Sequence, residues 1–308
     1  MGTPLAAARP SGRQFAIAHG DFEAVVTQVG ATLRRCTVGG VDVIDGFDAD
    51  QRASGGRGQV LPPWPNRLAA GRYSFGGYDC QVPLNEPGRG NSIHGLVRWL
   101  EWTPVVHTSS AVPLRCTLHP QPGYEWELDL EVTHRLGVEG LTVSTVVVNR
   151  ALQEAPFGIG FHPYLTVGTA RVDDVELALP ARSLLSVGDP DVEPSVVPLS
   201  GTGFSQPGRI GPTLLDTAYT DLLRDADGRA VATVRDPHSG RRVDLWVDEQ
   251  YRYLMVCTGD DLADPARRRR SVALEPMTCP PHALRHGVDV IRLQPSEPWQ
   301  ASWGLQAS

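Results

Sequence analysis

Apolar residues recur at every second position in short runs along this chain. Leu128-Asp129-Leu130-Glu131-Val132 alternates apolar with polar, and Leu141-Thr142-Val143-Ser144-Thr145-Val146-Val147 does so again after a turn region at Gly137–Gly140. A period of two sends successive side chains to opposite faces of a pleated strand, so these runs predict a long antiparallel hairpin. Further strands are predicted at Ala24–Val26, Leu33–Val38, Val41–Ile44, Val175–Leu179, Val243–Val247, Tyr253–Cys257 and Trp299–Leu305, and Val272-Ala273-Leu274 leads into Glu275. No segment keeps an apolar 3.6-residue period over three turns. Gly (32) and Pro (26) punctuate the runs. Many short strands with turn signals and no alternating helices predict an all-β fold, a large antiparallel β-sandwich.

The chain has 308 residues, enough for one large β domain or two ordinary ones. The Pro/Gly/Ser-rich segment Asp189–Thr213 is either a linker or an excursion of one domain. Strand patterns of the same character flank it, which favours the excursion. The expected organisation is a flexible N-terminus over 1–10 and a single domain over 11–308. Net charge is −7, which does not favour nucleic acid or an anionic membrane as partner. The densest basic run, Arg267–Arg270, reads as a solvated loop beside Asp260, Asp261 and Asp264, with a phosphate or partner contact as the alternative. Met1–Pro10 holds no secretory-type apolar run, and no stretch reaches membrane-spanning length. Five scattered cysteines, an odd number, do not form a disulfide framework. A reducing cytoplasm is the expected location, with monomer and homodimer both open.

Four short segments carry polar side chains among Gly, Pro and apolar neighbours: Pro65-Asn66-Arg67, Asn91–Gly95, Gly158–Tyr164 and Leu274-Glu275-Pro276-Met277. Such flanks hold a polar group rigidly and partly dry, which shifts its proton affinity. His94 precedes Gly95, where backbone can come close to a ligand. His162 lies between Phe161 and Pro163. Glu275 ends an apolar run, so it is either a base or half of a structural salt bridge, for instance to Arg67. His19, His107, His119, His134, His238 and His286 read as surface or hydrogen-bonded structural residues. Cys279-Pro280-Pro281-His282 has a metal-site spacing but no second Cys/His pair, so no metal is expected. No Gly-x-Ser-x-Gly elbow and no Gly-rich phosphate loop is present.

These segments resemble the aldose 1-epimerase (galactose mutarotase) family. Gly58–Leu68 with Gly71-Arg72-Tyr73, Asn91–Arg98, Pro156–Tyr164 and Glu275–Thr278 fall in that family's order, over about Gly12 to Leu305. Trp64-Pro65-Asn66-Arg67 and Glu275-Pro276-Met277-Thr278 match its bacterial branch best. The resemblance implies a sugar site on a concave sandwich face, interconversion of α and β anomers, and no metal or organic cofactor. It implies that Glu275 is the base at the C1 hydroxyl and His162 the acid at the ring oxygen. His94 assists at that oxygen, and Asn66 and Arg67 bind hydroxyls. Tyr164 falls in the substrate-contacting stretch. Asp216 best matches the sugar-binding Asp, with Asp221 a near competitor. A cationic Arg near the ring is expected to help hold Glu275 ionised.

Three functions are weighed. The first is anomer exchange of a free aldohexose such as glucose or galactose. The second is a hexose-6-phosphate epimerase, which needs an extra Arg or Lys cluster; Arg72, Arg98 and Arg267–Arg270 are its candidates. The third is a non-catalytic carbohydrate-binding protein, against which the retained acid and base count. The loop Asp189–Thr213 is expected to shape sugar selectivity.

Overall fold

The long hairpin forms as the alternation requires. Strands Leu128–Gly137 and Gly140–Asn149 pair antiparallel over their full lengths, with Val132 opposite Thr145 and Gly137 opposite Gly140. In this computed structural model, which describes residues 9–199 and 203–308, the hairpin lies inside a nine-stranded sheet. The order is Gly208–Arg209, Glu176–Ala178, Ala230–Arg235, Arg242–Val247, Pro298–Ala307, Gly140–Asn149, Leu128–Gly137, Ala111–Leu118 and Thr103–Pro104. A six-stranded sheet runs Tyr164–Leu165, Val272–Met277, Tyr253–Cys257, Asp216–Leu222, Ala181–Ser186 and Ser195–Pro198. Every strand pair in both sheets is antiparallel. A third sheet holds Gln14–His19, Phe22–Thr27, Leu33–Val38 and Val41–Asp42.

One apolar core joins these layers. Leu254, Val256, Val272 and Leu274 of the six-stranded sheet share it with Val143, Val147, Leu245, Trp303 and Leu305 of the nine-stranded sheet. Phe15, Val26 and Leu33 of the third sheet belong to it as well. Burial of this apolar surface, at about 25 cal/mol per Å², is what holds the layers face to face.

Each predicted strand has a counterpart here. The expected flexible N-terminus lies outside the described residues, except for Arg9 and Pro10. The described residues of 189–213 include an edge strand of each of the two large sheets, Ser195–Pro198 in the six-stranded one and Gly208–Arg209 in the nine-stranded one. Two expectations fail. The run Arg267–Arg270 is not simply a solvated loop: Arg269 is buried and bonds Asp173 at 3.1 Å and Asp260 at 2.8 Å, while Arg268 and Arg270 stay exposed. His134 is neither at the surface nor hydrogen-bonded through Nδ1; it stands on the buried face of its strand with Val132 and Leu136. Cys279 packs against Gly158, and His282 Nδ1 accepts the N–H of Ala69 at 3.2 Å. All five cysteines are free thiols. No helix among the described residues is long and apolar enough to cross a membrane.

Candidate active site

Every residue of Val272–Met277 is buried, yet the strand has two different faces. Val272 and Leu274 point into the sandwich core. The period of two therefore sends Glu275 to the other face. Met255 lies opposite Glu275 and Asp216 opposite Cys257, so Glu275, Cys257 and Asp216 share that face. Above it opens a cavity of about 670 Å³. Asn66, Arg67, His94, His162, Tyr164, Asp216 and Glu275 all line it, so the four distant segments do converge.

His162 arrives through a narrow passage. Val60 bridges Phe161 and Gly160 bridges Met277. The His162 N–H donates to the Gln59 carbonyl at 3.1 Å, and the Gly58 N–H donates to the His162 carbonyl at 2.9 Å. Gly56, at φ +76°, lies flat against the imidazole; a Cβ there would sit 2.4 Å from His162 Cδ2. No side chain is tolerated at that contact. His162 Nε2 stands 3.3 Å from Glu275 Oε1, and both residues are buried.

Strand Arg67–Ala69 pairs with Asn91–Ile93, which brings Asn66 beside His94. The Asn66 N–H donates to His94 Nδ1 at 3.2 Å, and the His94 N–H donates to the Asn66 carbonyl at 2.9 Å. Because Nδ1 accepts, the neutral ring carries its proton on Nε2. The His94 and His162 rings meet edge to face at 5.2 Å. Gly95 does not serve approach to a ligand: its φ is +62°, and a Cβ would lie 2.0 Å from the Pro62 carbonyl oxygen. The Arg67 N–H donates to Asn66 Oδ1 at 2.8 Å, leaving the Asn66 amide group as a donor. The Arg67 guanidinium grips both oxygens of Glu86, at 3.0 and 3.2 Å, and stands 3.7 Å from Asp216. The alternative Arg67–Glu275 salt bridge does not form; Arg67 pairs with Glu86, and Glu275 lies beside His162.

Burial dominates the electrostatics. It pushes the Glu275 carboxyl well above the usual range, Asp216 pushes it further, and Arg67 opposes with less effect. The expectation that an Arg holds Glu275 ionised is thus overridden by desolvation. His162 is pushed down to about 3, first by burial and then by Arg57. His94 is lowered as well, by burial and then by His162, Arg98 and Arg67. Burial, raising Glu275 and lowering His162, thus favours the uncharged form of the pair over an ion pair. Glu275 Oε2 and His162 Nδ1 are buried without a partner, which is costly until a ligand or water supplies one.

Tyr164, which lines the cavity, is held in place on both sides. Its hydroxyl donates to the Gly55 carbonyl at 3.0 Å, and its ring stacks on His162 at 5.0 Å, 16° from parallel. Asp216 is at the cavity wall, whereas Asp221, at φ +53°, is not. None of the described residues of 189–213 lines the cavity; the loops around Ser54–Arg57, Asn85–Arg89 and Gly259–Arg267 do. Arg72 is also away from it, bonding Gln81. Sequence reasoning missed Arg57 and Glu86. The glycine cluster around Arg57 in Gly55-Gly56-Arg57-Gly58 was the available signal. Among the described residues, no group of three or more His, Cys, Asp or Glu is arranged to hold a metal ion.

An aldose 1-epimerase family model matches residues 13–306. The chain belongs to the aldose 1-epimerase family. Within it, the chain is 32% identical over 292 residues to the uncharacterized protein YihR of Escherichia coli (strain K12), covering 94% of this chain and 91% of that one. It is 28% identical over 208 residues to the galactose mutarotase of Mus musculus, covering 62% of this chain and 59% of that one. Among solved structures, the GalM/aldose epimerase homologue from C. elegans superimposes with a TM-score of 0.83 at 18% identity, over 96% of this chain and 98% of that one. That likeness shows the fold: an all-β, galactose mutarotase-like sandwich.

Proposed function

We propose that this member of the family is an aldose 1-epimerase that exchanges the α and β anomers of a free aldohexose such as glucose or galactose. The carrying observation is the buried His162–Glu275 contact, 3.3 Å long, at the floor of a cavity lined by hydrogen-bonding side chains. Anomer exchange needs a base at the C1 hydroxyl and an acid at the ring oxygen. Glu275 takes the hydroxyl proton and His162 gives one to the ring oxygen, breaking the C1–O5 bond. Rotation about C1–C2 and the reverse proton transfers close the ring on the other face, so protons balance over the cycle. A sugar hydroxyl donating to the orphaned Glu275 Oε2 stabilises the carboxylate and so moves the shared proton onto His162. His94, with its proton on Nε2, supports the same oxygen region. The Asn66 amide and the Arg67 guanidinium hold hydroxyls, with Asp216 accepting from one.

A second reading, a hexose-6-phosphate epimerase, is favoured by Arg98. Arg57, Arg67, Arg89 and Arg267 line the cavity already paired with carboxylates. Arg98 lines it with no carboxylate in salt-bridge range among the described residues, and its Nε is buried and unpartnered. Polarimetry or exchange NMR on freshly dissolved α-D-glucose, α-D-galactose and their 6-phosphates tests both. Faster mutarotation of a free sugar supports the first reading, and a preference for the phosphate by orders of magnitude selects the second. Binding with no acceleration of any aldose would overturn both in favour of a carbohydrate-binding protein.

A further inference from the structure

Arg57 is one of the largest fully buried side chains, only 1% exposed, and no step of the proton transfer uses it. Its surroundings are built. Nε donates to the Asp45 carbonyl at 2.7 Å, one terminal nitrogen meets Asp45 Oδ2 at 3.1 Å, and the other donates to the Ser54 carbonyl at 3.2 Å. Asp45 is itself held by Ser271 Oγ at 3.0 Å and Arg267 at 3.2 Å. The guanidinium lies over the Tyr164 ring, 4.2 Å from its centre, and that ring stacks on His162. A chain of contacts thus runs Asp45, Arg57, Tyr164, His162, Glu275.

We propose that Arg57 is a positioning residue for the proton-transfer pair: through the Tyr164 ring it fixes the His162 imidazole against Glu275, and it keeps a permanent positive charge close to that imidazole. This rests on the reading of His162 and Glu275 as the reacting pair. A buried guanidinium is costly, and replacing such an ion pair by apolar groups is often neutral or stabilising. A packed cation–π contact onto a ring stacked on the acid gives the burial a use beyond stability. The other groups facing His162 are Glu275, His94, Tyr164 and Arg98. Of these, Arg98 is the second cation; Arg57 has the larger effect and acts in the same direction, against protonation of the ring.

The test compares wild type, Arg57→Lys and Arg57→Gln. The ring Cε1–H resonance of His162, assigned by its loss in His162→Asn, is titrated by NMR, with circular dichroism confirming the fold at each pH. Removing the charge in Arg57→Gln raises the pH at which His162 protonates by about one unit, and Arg57→Lys, which keeps the charge, restores it. In mutarotation, Arg57→Gln lowers kcat about tenfold with KM within twofold. An unmoved titration overturns the proposal, and so does a KM rise with kcat unchanged, which would make Arg57 a sugar ligand. Should Arg57→Gln leave Asp45 too poorly compensated to fold, the Asp45→Asn/Arg57→Gln double variant carries the same expectations. If wild type accelerates no sugar, the functional reading fails, and the NMR titration alone still decides the role of Arg57.

Discussion

His134 and His162 are both buried, and both are pushed down to about 3. His134 stands in the nine-stranded sheet among core side chains, and burial alone accounts for its shift. His162 stands at the floor of the cavity, where burial is followed by Arg57 and Arg98, and Glu275 lies 3.3 Å away. Each has an unpartnered Nδ1. A strongly shifted histidine is therefore not by itself a mark of chemistry in this molecule. What separates the two is a second titrating group in contact, itself shifted the opposite way, with room for a ligand beside the pair. Two groups pushed apart by their surroundings can exchange a proton with a third molecule; a lone buried ring can only stay neutral.

The sharpest way to break this contrast is to remove the second group. Glu275→Gln keeps the shape of the side chain and removes the proposed base. We expect mutarotation to fall about 10³-fold or more while sugar binding, measured by calorimetry, survives. A near-wild-type rate would refute the base assignment. His162→Asn is next, with a loss of about 10²-fold, whereas His134→Leu keeps kcat within twofold. Equal losses at the two histidines would erase the distinction.

The contrast also has a stability side. An unfolded histidine titrates near 6.5, whereas folded His134 titrates at about 3. Between those values the unfolded chain binds a proton that the folded chain refuses, so acid favours unfolding. Above about 6.5 neither state binds it and the penalty vanishes. His134 thus steepens the fall of stability below pH 6.5 by up to about 1.4 kcal/mol per pH unit. Urea unfolding from pH 8 down to 4.5 should show a shallower fall in His134→Leu. An unchanged slope would mean that the ring finds a partner when protonated.

Much of the candidate site was legible because its residues sit beside rigid neighbours. The run Val272-Ala273-Leu274 marked a buried strand, and Glu275 at its end could be noticed as out of place. The glycines before His162 pointed to close packing, although the partners, Pro65 and Cys279, could not be read. Convergence was hidden because it depends on single bridges such as Val60 with Phe161, and on left-handed backbone at Asn66 and His94. Neither leaves a periodic trace. Ser195–Pro198 is exposed on both faces and so has no alternation to detect. Strand Ala111–Leu118 contains Pro113, which weakens a strand reading. Arg57 drew no reading from the sequence; its surroundings come from Tyr164 and Asp45, which the chain supplies far from it in sequence.

The smallest effect concerns the wall of the cavity. Asp216 faces the same side of the sheet as Glu275, 3.7 Å from Arg67, with its side chain about half exposed (56%). Two consequences of Asp216→Asn oppose each other. A charged acceptor for a sugar hydroxyl is lost, which weakens binding. The negative charge that helps keep Glu275 protonated is also lost, which makes the base easier to ionise. Solvent screens an exposed carboxylate, so both effects are modest. We expect KM to rise about three- to tenfold with kcat within threefold of wild type. Asp221→Asn is the control, because Asp221 sits on the same strand outside the cavity, and its KM should not change. A KM rise in Asp221→Asn with none in Asp216→Asn would reverse the assignment. A rise in both would mean that the strand responds as a whole, and that the sugar is not held by one carboxylate at this wall.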